Sequence, residues 1–286
     1  MRWEKMSVEN RKRSPEPVRP EPDNAALSRS MVALDQDGKQ REVAVVCERA
    51  YTLYLNSQEI ITVMTVGEHP RWLALGYLRN QSMLHDDDVI TGVDVDDDLG
   101  VIVVRTERAT DYEEKLQRRT RTSGCAMGTM FGDVMESFDA VRLDAEARIK
   151  ISWLSQLTRT INTTPSLYLK AGAIHGCVLC HQAEPLIYVE DVGRHNAVDT
   201  IAGYMWENVV APSDKIFYTT GRLTSEMILK TVRMEIPILV SRSGFTAWGV
   251  ELARRAGLTL IGRARGERFL ALSGHERIVF DDADNK

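Results

Sequence analysis

Glu190-Asp191-Val192-Gly193-Arg194-His195-Asn196-Ala197-Val198-Asp199 follows the apolar run Pro185–Val189 and leads into an amphipathic stretch that ends near Trp206. That order of residues is a strand-to-helix corner. Gly193 lets the chain turn tightly and lets a ligand approach the backbone. The new helix end offers unpaired N–H groups and a partial positive charge. Arg194 adds a fork suited to phosphate or carboxylate, and His195 adds the side chain that titrates nearest neutral pH. The corner reads either as a site for chemistry or anion binding, or as a helix start capped by Asp191 with Arg194 and His195 in solvent.

Working outward, the same alternation continues. A helix is expected at Ile151–Ile161 and an extended run at Leu167–Val178. Strand Leu186–Val189 and helix Arg194–Trp206 come next, then strand Lys215–Thr219 and helix Thr224–Met234. Strand Ile236–Ser241, helix Thr246–Ala256 and strand Leu258–Gly262 follow, with short strands near Phe269–Leu272 and Ile278–Phe280. Strands alternating with helices predict a mainly parallel sheet with helices on both faces. Ligands of such sheets sit beyond the carboxyl ends of the strands. Two further corners there repeat the chemistry of the first: Thr219-Thr220-Gly221-Arg222 and Ser241-Arg242-Ser243-Gly244. Each supplies glycine, arginine and hydroxyls, and Arg263-Ala264-Arg265-Gly266-Glu267-Arg268 adds guanidinium groups after the next strand. Equivalent positions repeating one chemistry point to a ligand with several phosphates.

Nearer the N-terminus, residues 41–107 read as a small α+β unit. Its expected strands are Val43–Cys47, Tyr51–Leu55 and Ile60–Val66, its helix runs from Pro70 to about Leu84, and Val89–Val95 pairs with Gly100–Thr106. The aspartates around this hairpin lack the spacing of a calcium loop and read as solvated turns. Residues 1–40, with Pro15, Pro17, Pro20 and Pro22, read as a disordered tail. Residues 108–150 read as a charged linker carrying the loop Ser123-Gly124-Cys125-Ala126-Met127-Gly128, and residues 151–286 as the larger α/β domain.

The chain has 286 residues, 43% hydrophobic and 27% charged, with a net charge of −5. No global field favours nucleic acid, and no apolar run is long enough for a membrane helix. The absence of a secretory pattern at the N-terminus gives a cytoplasmic expectation. Four cysteines in such a chain point to free thiols, a metal or redox chemistry rather than a disulfide framework. Cys125, in a glycine loop after Lys115, Arg118, Arg119 and Arg121, has the basic surroundings that favour a thiolate. Cys177-Val178-Leu179-Cys180-His181 has the spacing of haem attachment, and His175, Cys177, Cys180 and His181 could hold zinc. Residues three apart on a strand face opposite sides, so a pair of buried small side chains is the preferred reading.

Gly124-Cys125, Ala173-Ile174-His175, the Glu190–Asp199 block, Thr220-Gly221-Arg222 with Ser225-Glu226-Met227, Ser241-Arg242-Ser243 and Arg265-Gly266-Glu267-Arg268 occur in that order. Together they resemble the formate dehydrogenase accessory sulfurtransferase family (FdhD), over about residues 41–281. The resemblance implies a cytoplasmic, homodimeric sulfur carrier with a larger domain of the cytidine deaminase-like three-layer α/β/α kind. Such a protein takes persulfide sulfur from a cysteine desulfurase. It passes the sulfur to a bound substrate, the Mo-bis(molybdopterin guanine dinucleotide) cofactor or its tungsten form, which activates formate dehydrogenase. GDP or a related guanine nucleotide would mimic that ligand. The persulfide cysteine maps to Cys125 and the cofactor stretch to Arg263–Arg268. Gly193, Arg194, His195, Gly221, Arg222, Ser241 and Arg242 complete the expected binding set. The resemblance departs at one point: the family loop often reads Cys-Gly-x-Cys-Gly, and here Gly128 stands in place of the second cysteine. That leaves open a cofactor-binding chaperone that moves no sulfur.

Overall fold

In the computed structural model, residues 16–85, 87–108, 135 and 138–281 are described. Cys125 and its basic neighbours lie outside them.

The C-terminal half is built on a six-stranded sheet of order β13-β12-β11-β10-β8-β9. Its strands are β8 (His175–His181), β9 (Glu184–Asp191), β10 (Lys215–Thr219), β11 (Ile238–Ser241), β12 (Thr259–Arg265) and β13 (Arg268–Ser273). Only the β10–β11 and β11–β12 pairings are parallel; β8–β9, β8–β10 and β12–β13 are antiparallel. The expected mainly parallel sheet is therefore a mixed one. The cause is local: β8 and β9 are joined by the tight turn Gln182-Ala183, and a two-residue link can only reverse the chain. Because β8 opposes both of its neighbours, β9 still runs the same way as β10, β11 and β12.

Strand alternation sorts the core into two layers. Cys177, Leu179, Ile187, Val189, Phe217, Leu239 and Leu260 face α4 (Arg194–Glu207), α5 (Ser225–Arg233) and α6 (Ala247–Ala256). Val178, Cys180, Tyr188, Ile216, Tyr218, Val240 and Ile261 face α2 (Ile151–Thr163). Helices thus cover both faces, in three layers. The run expected to be extended from Leu167 instead begins with a short helix, α3 (Leu167–Ala171). Ser166 caps it and Gly172 ends it at φ 76°, signals that the β-rich composition of the run obscured.

The N-terminal half holds a four-stranded sheet, β4-β3-β6-β5. It is made from β3 (Arg49–Leu55), β4 (Gln58–Thr65), β5 (Ile90–Asp96) and β6 (Val101–Thr106), and it packs on α1 (Pro70–Asn80). The proline-rich tail is not structureless throughout. From residue 16 on it is placed: Val18 bridges to Ile187 beside β9, and Leu27 is buried. Strand β1 (Ser28–Leu34) pairs over its whole length with β2 (Gln40–Val46). Asp35 organises their turn, its Oδ1 accepting from Asp37 N and Lys39 N at 3.0 and 2.9 Å, and Gly38 takes φ 74°. The strand-forming runs Met31–Leu34 and Val43–Val46, joined through an Asp-Gly turn, outweigh the prolines upstream.

Helices α1 and α4 join the two halves at very short range. A Cβ on Gly76 would stand 1.7 Å from the Asp199 carbonyl oxygen, and one on Gly203 would stand 1.9 Å from that of Trp72. Beside this crossing, Lys230 Nζ donates to both carboxylate oxygens of fully buried Asp199 at 2.8 and 2.6 Å, and Asn80 Nδ2 donates to Oδ1 at 2.7 Å.

Candidate functional site

Since β9, β10, β11 and β12 run the same way, all the arginine-bearing corners lie at one end of the sheet. They are also tied to one another. Thr220 N donates to Gly176 O at 2.9 Å and Gly176 N to Thr220 Oγ1 at 3.0 Å. Ser241 Oγ donates to Gly221 O at 2.6 Å and accepts from Ser243 N at 2.9 Å. Arg263 N donates to Ser243 O at 2.8 Å. The corners therefore form one braced rim rather than separate loops.

The rim has two sides. On the α4–α5 side, Arg194 lies across Gly221, where an added Cβ would sit 3.3 Å from its Cβ and Cδ. A larger residue than glycine there would press on that guanidinium arm. His195, on the next position of α4, brings Nε2 within 3.0 Å of Glu226 Oε2. Burial lowers the pKa of His195, and the Glu226 carboxylate partly restores it. His175 enters the same space from the first residue of β8. Burial first, then Arg194, His195 and Arg222, lower its pKa as well. Two neutral imidazoles thus stand beside two guanidiniums and one carboxylate. Arg222 is exposed at the rim.

On the α2–α3 side, the Arg242 guanidinium stacks on the Tyr168 ring at 5.0 Å. The buried Tyr218 lies within electrostatic reach of Arg242, Arg265 and Tyr168. Glu190 is nearby, but its carboxylate accepts from Leu167 N and Tyr168 N at 2.6 and 2.9 Å and serves to start α3. The turn Gly266-Glu267 joins β12 to β13 and is held to α2 by Thr158 Oγ1 donating to Gly266 O at 3.2 Å.

Several expected site residues turn out to be framework. Ser241 is fully buried and its hydroxyl is spent on the neighbouring corners. Ala264 is 1% exposed and its methyl group belongs to the core against α2, whereas Arg263, Arg265, Gly266, Glu267 and Arg268 are exposed. Asp191 caps no helix: Gly193 is the N-cap of α4 and no side chain caps it. Asp191 instead accepts from Gly193 N at 2.8 Å, Asn196 Nδ2 at 2.9 Å, Val66 N at 3.3 Å and the Thr65 hydroxyl, binding the corner to β4. Burial pushes its carboxyl up to about 6 despite those four donors. Conversely His175, Tyr168, Tyr218 and Glu226 were not in the expected binding set. The signal for His175 was its register: β8 lies between β9 and β10, with His175 opposite Asp191.

The metal and haem readings of Cys177 and Cys180 fail on geometry. Both are fully buried, Cys177 on the α4 face and Cys180 on the α2 face, so one ion cannot reach both sulfurs. Burial pushes the Cys177 thiol up to about 12 and raises Cys180 further, which leaves neither as a thiolate.

The described chain on either side of the Cys125 stretch stands at the other end of the sheet. Glu107 N donates to Val89 O, and Val89 shares a cavity of about 330 Å³ with Trp206 and Glu207 at the end of α4. Phe138 and Asp139 meet Arg255 in the last turn of α6. Both helices begin at the rim and end away from it.

The rim brings together arginines and two half-buried imidazoles, and the sequence comparison decides the family: the FdhD/NarQ family profile matches residues 46–279. The chain belongs to the FdhD/NarQ family. Among its relatives, the "Sulfur carrier protein FdhD" of Listeria innocua serovar 6a is 28% identical over 263 residues, 88% of this chain and 99% of the relative. That of Bacillus subtilis (strain 168) is 26% identical over 238 residues, 83% and 91% of the two chains. A crystal structure solved under the description of a formate dehydrogenase accessory protein, from Desulfotalea psychrophila, superposes with a TM-score of 0.71 at 27% identity. It covers 88% of this chain and all of the other. Like its FdhD relatives this chain is a mixed α/β protein, and no helix among its described residues is long and apolar enough to cross a membrane.

Proposed function

We propose that this chain carries sulfane sulfur on Cys125 and delivers it to a bound molybdenum (bis-guanine dinucleotide) cofactor on behalf of formate dehydrogenase. The observation that carries this reading is the rim itself: arginines from consecutive strand ends, gathered at one end of four codirectional strands, suit a ligand with several phosphates. Arg194, Arg222, Arg242, Arg263, Arg265 and Arg268 hold the ligand's anionic groups, while the neutral His175 and His195 offer hydrogen bonds without adding charge. GDP stands in for one nucleotide arm of that ligand.

Sulfur carriage falls to Cys125 because the alternatives are poor. Of the four cysteines, Cys177 and Cys180 are sealed as thiols in the two core layers. Cys47 is half-buried at the end of β2 with no arginine-rich setting in the sequence around it. Cys125 follows a basic run that favours the thiolate. The donor in this reading is a cysteine desulfurase and the place the cytoplasm. The working unit is a homodimer, and the three-layer domain is cytidine deaminase-like; these four points rest on the family resemblance.

The test is intact-mass analysis after incubation with a cysteine desulfurase and cysteine. Wild type gains about one sulfur mass and Cys125→Ala gains none, as expected of a single activated thiolate. No gain in wild type would overturn sulfur carriage and leave a cofactor-binding chaperone. A gain in both would move the carrier to Cys47.

A further inference from the structure

The two sides of the rim are not equivalent, and the difference assigns one end of the ligand. On the α4–α5 side, the positive charge of Arg194 and Arg222 is opposed by Glu226, which stands 3.0 Å from His195. On the α2–α3 side, Arg242 and Arg265 stand together with Arg263 and Arg268 on the same stretch; Glu190 is already satisfied by two backbone N–H groups of α3, and the exposed Glu267 in the β12–β13 turn offsets only part of that charge. The second side is the more favourable place for a compact dianion.

An independent observation marks the same place. Tyr218 is 1% exposed, and its hydroxyl has no hydrogen-bond partner among the described residues. A buried hydroxyl without a partner costs about 1–3 kcal/mol relative to a satisfied one, and such groups call for an explanation. This hydroxyl belongs to the strand that ends in the Thr219–Arg222 corner, and its surroundings are Arg242, Tyr168 and Arg265. Arg242 rests on the face of Tyr168 at 5.0 Å, a stacked position rather than a carboxylate salt bridge. A guanidinium held this way is oriented but keeps N–H donors for a ligand.

We propose that the nucleotide diphosphate of the ligand seats on the α2–α3 side of the rim, held by Arg242 and Arg265, with the Tyr218 hydroxyl as a third donor and Tyr168 as the platform that positions Arg242. This rests on the functional reading above and goes beyond it by choosing a side. The α4–α5 side, with His175, His195, Arg194 and Arg222, then faces the rest of the ligand. The missing hydrogen bond of Tyr218 is made by the ligand.

Calorimetric titration of the full chain with GDP tests this, with Tyr218→Phe, Arg242→Ala, Tyr168→Leu and Arg222→Ala beside wild type. Tyr218→Phe weakens GDP binding about tenfold, as expected for one hydrogen bond to a charged group, and Arg242→Ala weakens it at least as much. Tyr168→Leu gives a smaller loss, and Arg222→Ala, on the side left to the rest of the ligand, loses clearly less than Arg242→Ala. Thermal unfolding separates binding from folding: Tyr218→Phe removes a hydroxyl with no partner, so its unfolding midpoint stays at or above that of wild type. Unchanged affinity in Tyr218→Phe would remove the hydroxyl from the site. Loss in Arg222→Ala with none in Arg242→Ala would place the diphosphate on the other side. If wild type binds no GDP at all, the functional reading itself fails, an outcome distinct from either.

Discussion

Helix α4 serves two regions of the molecule that obey opposite rules. Its first turn belongs to the rim, where Arg194 and His195 are half-buried, charged or titratable, and surrounded by groups of both signs. Its middle belongs to the seam with α1, where Gly203 meets the Trp72 carbonyl and Asp199 is buried against Lys230 and Asn80. The rim tolerates unsatisfied chemistry because a ligand can complete it. The seam does not, because backbones in contact leave no room and a buried charge must have its partner. One ten-residue motif therefore mixes two kinds of residue: Arg194 and His195 at the rim, where the proposed ligand would sit, and Asp191, Asn196 and Asp199 holding the two halves together.

The sharpest way to break that comparison is at the glycines of the seam. Gly203→Val places side-chain atoms where the Trp72 carbonyl stands. Soluble, cooperatively unfolding protein should not be recovered, or stability should fall by more than about 4 kcal/mol, as measured by urea unfolding. Next comes the buried pair. Lys230→Met strands the Asp199 carboxylate and should cost about 3–5 kcal/mol, whereas Asp199→Asn combined with Lys230→Met should recover most of that loss. Neither result is expected at the rim, where the binding variants Arg222→Ala and Arg242→Ala should leave the unfolding midpoint close to wild type. A rim variant that unfolds the protein would merge the two regions into one.

The smallest effect sharpens the seam through pH. Glu68, in the link between β4 and α1, has its carboxyl pushed up to about 7 from 4.5, by burial first and then by Glu21, Glu190 and Asp191. A carboxyl whose folded pKa exceeds its unfolded one binds its proton more tightly in the folded state. Its stabilising share is complete below about pH 4.5 and is lost as pH rises through about 7. The contribution of Glu68 should therefore decline between about pH 5 and about pH 8, against the opposite trend of His69, whose pKa burial lowers to about 4. Glu68→Gln should flatten that decline by on the order of 1–2 kcal/mol, seen in unfolding curves across that range.

Much of the larger domain was legible because strong local signals agreed. Strand Lys215–Thr219 follows directly from its apolar run, and Thr246 caps α6 by accepting from Gly249 N at 3.2 Å. The rim was legible too, as glycine and arginine repeated at strand ends. The direction of β8 was not, because periodicity shows that a strand exists but not which neighbour it pairs with. The order in residues 16–42 was hidden by Pro17, Pro20 and Pro22, and Val18 gains its place only by bridging to Ile187, far along the chain. Tyr168 was missed because it lies on α3, a five-residue helix whose first N–H groups are held by Glu190 from another strand.

By itself, the sequence determined the layered α/β plan, the corners, the lone loop cysteine and the family, since each is a property of residue type and spacing along the chain. Only the tertiary structure decided which of those residues are partners and which are framework. Ser241 and Ala264 look like site residues in the chain and Asp191 like a helix cap, and all three are interior struts in the fold; Tyr218 looks like core and carries a hydroxyl with no partner among the described residues. The reason is physical: burial and hydrogen-bond satisfaction depend on neighbours brought from distant segments, such as Thr65 to Asp191 and Lys230 to Asp199, and no local pattern encodes them.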